Sequence, residues 1–222
     1  MKKMLVAVAA LALAAGLAAA WTGQVNVGVS VADGKLRSFY LSIGDYYRVP
    51  EPQIVSFRDR FRVSDEELPV VFFLAGRARV EPSVIMGLRL KGRSWLDIAF
   101  HFNLTPDIFF VSVGDAHVGP PYGRAYGYYR KYGPRREWRK IALLDKEVVD
   151  LVNLRFMSEY HHMSPEAVMQ RRGRGEAFPS MNEAARKDRD KGRDKDKGRQ
   201  GKPQDKSDKG GKPDKDKGQG KH

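Results

Sequence analysis

Between residues 122 and 132 aromatic and cationic side chains interleave: Tyr122, Arg124, Tyr126, Tyr128, Tyr129, Arg130, Lys131 and Tyr132. Aromatic faces can stack on sugars or bases, and guanidinium and ammonium groups pair with phosphate or carboxylate. This composition points to binding of a polyanion, with Tyr122, Arg124, Tyr126, Tyr128, Tyr129 and Arg130 as the candidate contact residues. The same rings could instead pack their segment onto neighbouring helices, with the hydroxyls reaching solvent.

Other residues capable of chemistry are poorly placed for it. The C-terminal stretch repeats Asp-x-Asp-x-Gly at Asp188-Asp190-Gly192, Asp194-Asp196-Gly198 and Asp214-Asp216-Gly218. A calcium loop needs a third ligand, a Gly at its sixth position and a Glu at its twelfth. Here Lys or Arg fills the intervening places, Gly arrives one residue early and no Glu follows, so no metal site is expected. His101 lies four residues after Asp97, and His161-His162 follows Glu159 closely. Neither makes a set of three or four ligands or stands near a nucleophile. A serine elbow, a P-loop and a dinucleotide fingerprint are all missing. We expect no catalytic residues, no cofactor and no enzymatic activity.

The elements that would carry the aromatic segment are marked by a repeat. Pro82, Met86, Arg89, Gly92 and Trp95 correspond to Pro165, Met169, Arg172, Gly175 and Phe178, all at an offset of 83. The stretches before each Pro, residues 65–80 and 145–160, match at an offset of 80. A weaker copy lies at an offset of 31, with Ile54 against Ile85 and Arg58 against Arg89. Residues 104–110 restart the Pro phrase with 94–102 as its arm. Thr105-Pro106-Asp107 and Ser164-Pro165-Glu166 each give a capping hydroxyl, a Pro at the first helical position and an acid in the first turn. Ser64 to Glu67 and Ser94 to Asp97 have capping-box spacing, and Asp145 opens a further helix. Gly92, and Gly173 or Gly175, read as C-terminal stops.

The unit is therefore a longer helix, a tight turn and a short helix. One such hairpin cannot bury its apolar side alone, but stacked hairpins can share a core. The predicted fold is all-α: six or seven short helices in tandem hairpins over residues 36–181. Val70 to Leu74 are apolar in succession, which places their helix at the centre. Residues 111–140, rich in Gly, Pro, Tyr and Arg, read as a long irregular loop between repeats.

The ends differ in kind. Residues 1–20 read as a signal peptide: Lys2 and Lys3, an apolar run from Met4 to Leu17, then Ala18-Ala19-Ala20 as a cleavage site. The run is short against the roughly 20 residues a membrane span needs, and no later stretch is apolar enough. An uncleaved anchor helix is the alternative. Residues 21–35 form an extended or β-like lead-in, because Val25, Val27, Val29 and Val31 alternate with polar residues. Residues 182–222 lack every large apolar side chain and should be disordered. The chain has no cysteine, which excludes disulfides and a lipoprotein anchor. Of the net charge of +13, the tail carries 15 Lys and Arg against 9 Asp and Glu.

The stretch from Val80-Glu81-Pro82 to Ser94-Trp95-Leu96-Asp97-Ile98-Ala99 resembles a pattern, Ser-Pro-x-x-Val…Arg-x-x-Gly-x-Ser-Trp-x-Asp-Ile-Ala. That pattern belongs to a group of uncharacterised, exported bacterial proteins with tandem helical hairpins and a Lys/Gly-rich charged C-terminus. The resemblance spans about residues 36–181. The second copy departs from it, with Glu176-Ala177-Phe178 in place of Arg93-Ser94-Trp95. It implies architecture and export, periplasmic or secreted, and no catalytic residues. Helical hairpins with arginines also suit helix-turn-helix DNA binding, but an exported protein does not meet the chromosome, so specific DNA recognition is not expected. The expectation is a non-catalytic helical-repeat module contacting an envelope polyanion such as lipopolysaccharide, teichoic acid or extracellular nucleic acid. The alternative is a module that clasps an envelope protein. The oligomeric state is left open.

Overall fold

A computed structural model describes residues 34–114 and 118–200, with side chains as far as residue 191. Residues 1–20, nearly all of the 21–35 lead-in and residues 201–222 lie outside the described residues. The described residues are all-α, with nine α-helices, three short 3₁₀ turns and no strand. The helices are α1 (Gly34–Tyr47), α2 (Glu51–Phe61), α3 (Leu68–Ala78), α4 (Pro82–Arg89), α5 (Trp95–His101), α6 (Gly123–Tyr132), α7 (Asp145–His161), α8 (Pro165–Gly173) and α9 (Phe178–Gln200). Among them none is long and apolar enough to cross a membrane.

One turn is used repeatedly. Arg48, Arg62, Arg79, Asn103 and His162 each end a helix with a left-handed backbone, φ between 50° and 59°. An apolar residue follows each, then the residue that caps the next helix. In four of the five, the apolar residue's N–H reaches the carbonyl five positions back: Val49 to Gly44 (2.9 Å), Val63 to Arg58 (3.3 Å), Val80 to Ala75 (3.0 Å) and Leu104 to Ala99 (2.9 Å). This closure satisfies carbonyls that the helix end leaves open. At α1 the chain passes so close that a Cβ on Gly44 would stand 2.5 Å from the Val49 carbonyl. Two of the expected serine caps form, whereas the Thr105 hydroxyl donates to the Asp107 carboxylate, caps no N–H, and precedes a 3₁₀ turn at Pro106–Phe109. Ser94 Oγ accepts from Asp97 N, and Ser164 Oγ accepts from Ala167 N. Gly92 (φ +80°) and Gly175 (φ +85°) take the backbone that a side chain would strain.

α3 and α7 pair at the centre. Every residue of α3 from Leu68 to Ala75 is buried, and α7 buries Val148, Leu151, Val152, Leu154, Phe156 and Met157. The short second helices present equivalent residues to this core, with Ile54, Ile85 and Val168 each fully buried.

The arginines of the repeat tie the hairpins together. Arg89 lies with its guanidinium carbon 4.5 Å from the Trp95 ring centre, and Arg172 lies 4.5 Å from that of Phe178. Arg89 donates to Asp145 (2.5 Å), at the start of the opposite hairpin, and to Glu67 (3.3 Å) of its own. Arg172 donates to Glu66 (2.8 Å), before α3 in the opposite hairpin, and to Asp150 (2.8 Å) of its own. The same distant acids accept the backbone N–H groups of Trp95 (2.8 Å) and Phe178 (3.1 Å). Arg58, one copy upstream, reaches Asp65 (2.8 Å) at the start of the next hairpin.

Two segments differ from the sequence expectation and account for the extra helices. The irregular loop predicted for 111–140 contains α6 and a 3₁₀ turn at Trp138–Lys140. Gly123, Gly127 and Gly133 obscured the helical spacing of Tyr122, Tyr126 and Tyr129, which lies on one face. The order predicted to stop at 181 continues, since α9 runs on to Gln200. Asn182 Nδ2 donates to Ser38 Oγ (3.1 Å), Arg186 to Ser42 Oγ (3.4 Å), and Glu183 pairs with Lys187 one turn on (2.8 Å). Polar anchors and i,i+4 pairing replace the apolar burial that composition tests for.

Candidate functional site

α6 divides the tyrosines between two roles. Tyr122 and Tyr126 are buried, at 1% and 2% exposure, and belong to the core. Tyr122 Oη donates to the Asp150 carbonyl (3.4 Å), and Tyr126 Oη donates to the Val111 carbonyl (2.9 Å). Burial pushes both phenols well above their ordinary range. Tyr129 joins them through a stack, 4.4 Å from Phe110 on one side and 6.3 Å from Trp138 on the other. Three of the six candidate contact residues therefore fasten α6 to the fold, because positions 122, 126 and 129 recur at helical spacing.

The outer face carries Arg124 and Tyr128 of the remaining three. Tyr128 and Tyr132 stack, with ring centres 6.1 Å apart and planes at 20°. Arg124 lies 5.2 Å from the Tyr128 ring, while Lys131 and Lys140 lie 5.1 and 5.9 Å from Tyr132. Cations thus stand over both rings of the stacked, half-buried pair. Arg124 is also held by Glu147, and that pairing raises its affinity for its proton. Glu147 in turn accepts from Leu144 N (2.8 Å), which fixes the start of α7. Arg130, one helical turn after Tyr126, is exposed.

Beyond α6 the chain forms one wall of a groove of about 820 Å³. Arg136 to Lys140 face Phe100 and the turn Asn103-Leu104-Thr105 that follows α5. Lys140 donates to Glu137 (2.8 Å), and this bond holds that carboxyl below its usual range. Residues 124–140 contain seven cations and one acid, a net of +6, whereas the whole stretch 21–181 has 23 Lys and Arg against 18 Asp and Glu. The basic excess of the fold is concentrated here.

No family model matches the chain, and no curated protein or solved structure is significantly similar to it.

The groove residues Phe100, Arg136, Trp138 and Arg139 were outside the sequence-derived candidate set. The run Arg135-Arg136-Glu137-Trp138-Arg139-Lys140 was a visible signal, but its partner wall comes from a turn some 35 positions earlier. The histidines fall elsewhere. His161 sits between α7 and α9, its Nε2–H donating to Asn182 Oδ1 (2.7 Å) and its Nδ1 accepting from Arg189 (3.0 Å). Among the described residues no cluster of three or more His, Asp or Glu is placed to hold a metal ion. The first two Asp-x-Asp-x-Gly copies lie within α9, a helix and not a loop; the third is outside the described residues.

Proposed function

We propose that this protein is a non-catalytic helical-hairpin module that binds a polyanion through the outer face of α6 and the segment leading to Lys140. The observation that carries the reading is the concentration of seven cations in residues 124–140, where Arg124, Lys131 and Lys140 stand against the Tyr128–Tyr132 pair and Arg130, Lys131, Arg135, Arg136 and Arg139 are all exposed. A surface of this kind attracts extended anions and loses affinity as salt rises. The signal-like residues 1–20 favour an exported protein and an envelope polyanion.

The test is retention of the full chain on immobilised heparin, lipopolysaccharide and RNA across a salt gradient. Wild type should elute later than an Arg135→Glu/Arg139→Glu variant, with affinity about tenfold apart or more. Equal elution of the two proteins would remove this face from the binding surface.

A second reading is a protein-partner module. It rests on Leu90 and Leu144, 68% and 60% exposed, which flank the Arg89–Asp145 pair. Capture of one envelope protein by wild type but not by Leu90→Asp/Leu144→Asp, with heparin binding unchanged between them, would favour it.

A further inference from the structure

We propose that the groove beside Trp138 is a discrete binding site for one negatively charged sugar unit, carboxylated or phosphorylated. The inference deepens the polyanion reading and rests on it. At about 820 Å³ the groove falls in the range of small-molecule sites, roughly 300–1,000 Å³, and far exceeds what a bare inorganic anion needs. Its surface combines two chemistries. Phe100, Leu104 and Trp138 supply apolar and aromatic area, which suits the C–H face of a sugar ring. Arg136, Arg139 and Lys140 supply donors and positive charge, which suit a carboxylate or phosphate. Lys140 gives part of its hydrogen bonding to Glu137, so the two arginines carry the anion recognition.

A sugar fits better than a nucleobase strand. Single-stranded nucleic acid binds to a succession of open aromatic faces. Here Tyr128 and Tyr132 face each other and cations approach both rings, so the neighbouring pair offers no such series. A single sugar needs only the groove. Because Lys140 both lines the groove and lies by Tyr132, a longer anionic glycan seated there would continue along the Tyr128–Tyr132 pair and its cations.

The experiment titrates the full chain calorimetrically with trigalacturonate, glucose 6-phosphate, neutral maltotriose, inorganic phosphate and a short uridine oligonucleotide. Trigalacturonate or glucose 6-phosphate should bind saturably with one site, and whichever binds identifies the anion. Maltotriose and phosphate should bind about tenfold more weakly or not at all, since each lacks one of the two chemistries. Arg139→Ala and, independently, Leu104→Ala should each weaken the charged saccharide about tenfold, the loss of one charge-assisted hydrogen bond or of one apolar contact surface. The proposal is overturned if phosphate or the oligonucleotide binds as tightly as both saccharides, or if neither variant changes saccharide affinity. Failure of the broader polyanion reading shows up separately, as absence of salt-sensitive heparin retention by wild type.

Discussion

Arg89 and Arg172 stand 83 positions apart in the chain and perform the same operation in opposite directions. Each stacks on the aromatic residue six positions later, each bonds an acid of its own hairpin, and each crosses to an acid at the start of the other hairpin. The two hairpins are locked by an exchange of ion pairs, around the α3–α7 core.

The two locks differ in burial, and that difference decides their energetics. Asp150, the partner of Arg172, is 1% exposed, whereas the acids around Arg89 are 25% and 36% exposed. Burial raises the Asp150 pKa and Arg172 works against that shift. Removing Arg172 would strand a buried carboxylate, so Arg172→Ala should cost about 3–5 kcal/mol. Arg89→Ala, at a more solvated pair, should cost about 1 kcal/mol. Urea denaturation of both variants decides this, and Arg172→Ala/Asp150→Asn should recover part of the larger loss. Equal costs for the two single variants would contradict the burial argument.

These locks also show what a sequence can hold. Pro82 and Pro165, Ser94 and Ser164, Gly92 and Gly175 were legible because caps and stops act within a few residues, so their spacing is their meaning. Arg89 and Arg172 were legible as a repeat but not as a lock. Their partners lie 56 and 106 positions away, and only the fold brings them close. α6 was illegible for another reason. Two glycines within it, Gly123 and Gly127, lower its helical propensity, and the burial of Tyr122 and Tyr126 against Phe110 and α7 overrides that propensity. The groove combines both difficulties.

The repeated turn yields a stabilising substitution. Arg79 has φ 57° and its side chain is exposed. A Cβ in this conformation is strained, and glycine is not. Arg79→Gly should raise stability by about 0.5–1 kcal/mol in chemical denaturation. A loss instead would mean that the arginine side chain contributes more than its backbone costs.

The position at which the tail is removed should matter. Ending the chain at 181 removes Asn182, which is fully buried and bonds both His161 and Ser38. Ending it at 200 keeps all of α9. Thermal unfolding should leave the 200-residue chain within about 1 °C of the full chain and lower the 181-residue chain by about 5 °C or more. Identical midpoints would show that the α9 contacts add nothing to the fold. Binding experiments that remove the charged tail should accordingly cut after 200.

His161 should make stability depend on pH, and the sign follows from its partners. Its Nδ1 accepts from Arg189, so the ring in place is the neutral form protonated on Nε2. A second proton on Nδ1 would face the Arg189 guanidinium, with Arg186 and His162 adding positive charge nearby. The carboxylates of this corner are engaged elsewhere: Asp45 accepts from Tyr160 (2.8 Å), and Glu159 accepts from Tyr46 and Arg155. Desolvation, with the surrounding cations, therefore holds the folded pKa below the ordinary 6.5. Below that value the unfolded chain binds the proton more readily, so stability is full above about pH 7.5 and falls as pH drops through about 6.5. The Asp150 shift acts in a lower window, above its ordinary 3.8, and has the opposite slope there. Urea midpoints measured from pH 8 to pH 5.5 should decline for wild type and stay nearly level across this window for His161→Gln. If the variant declines in parallel with wild type, the proton is being taken up elsewhere and the contact between α7 and α9 is not its cause.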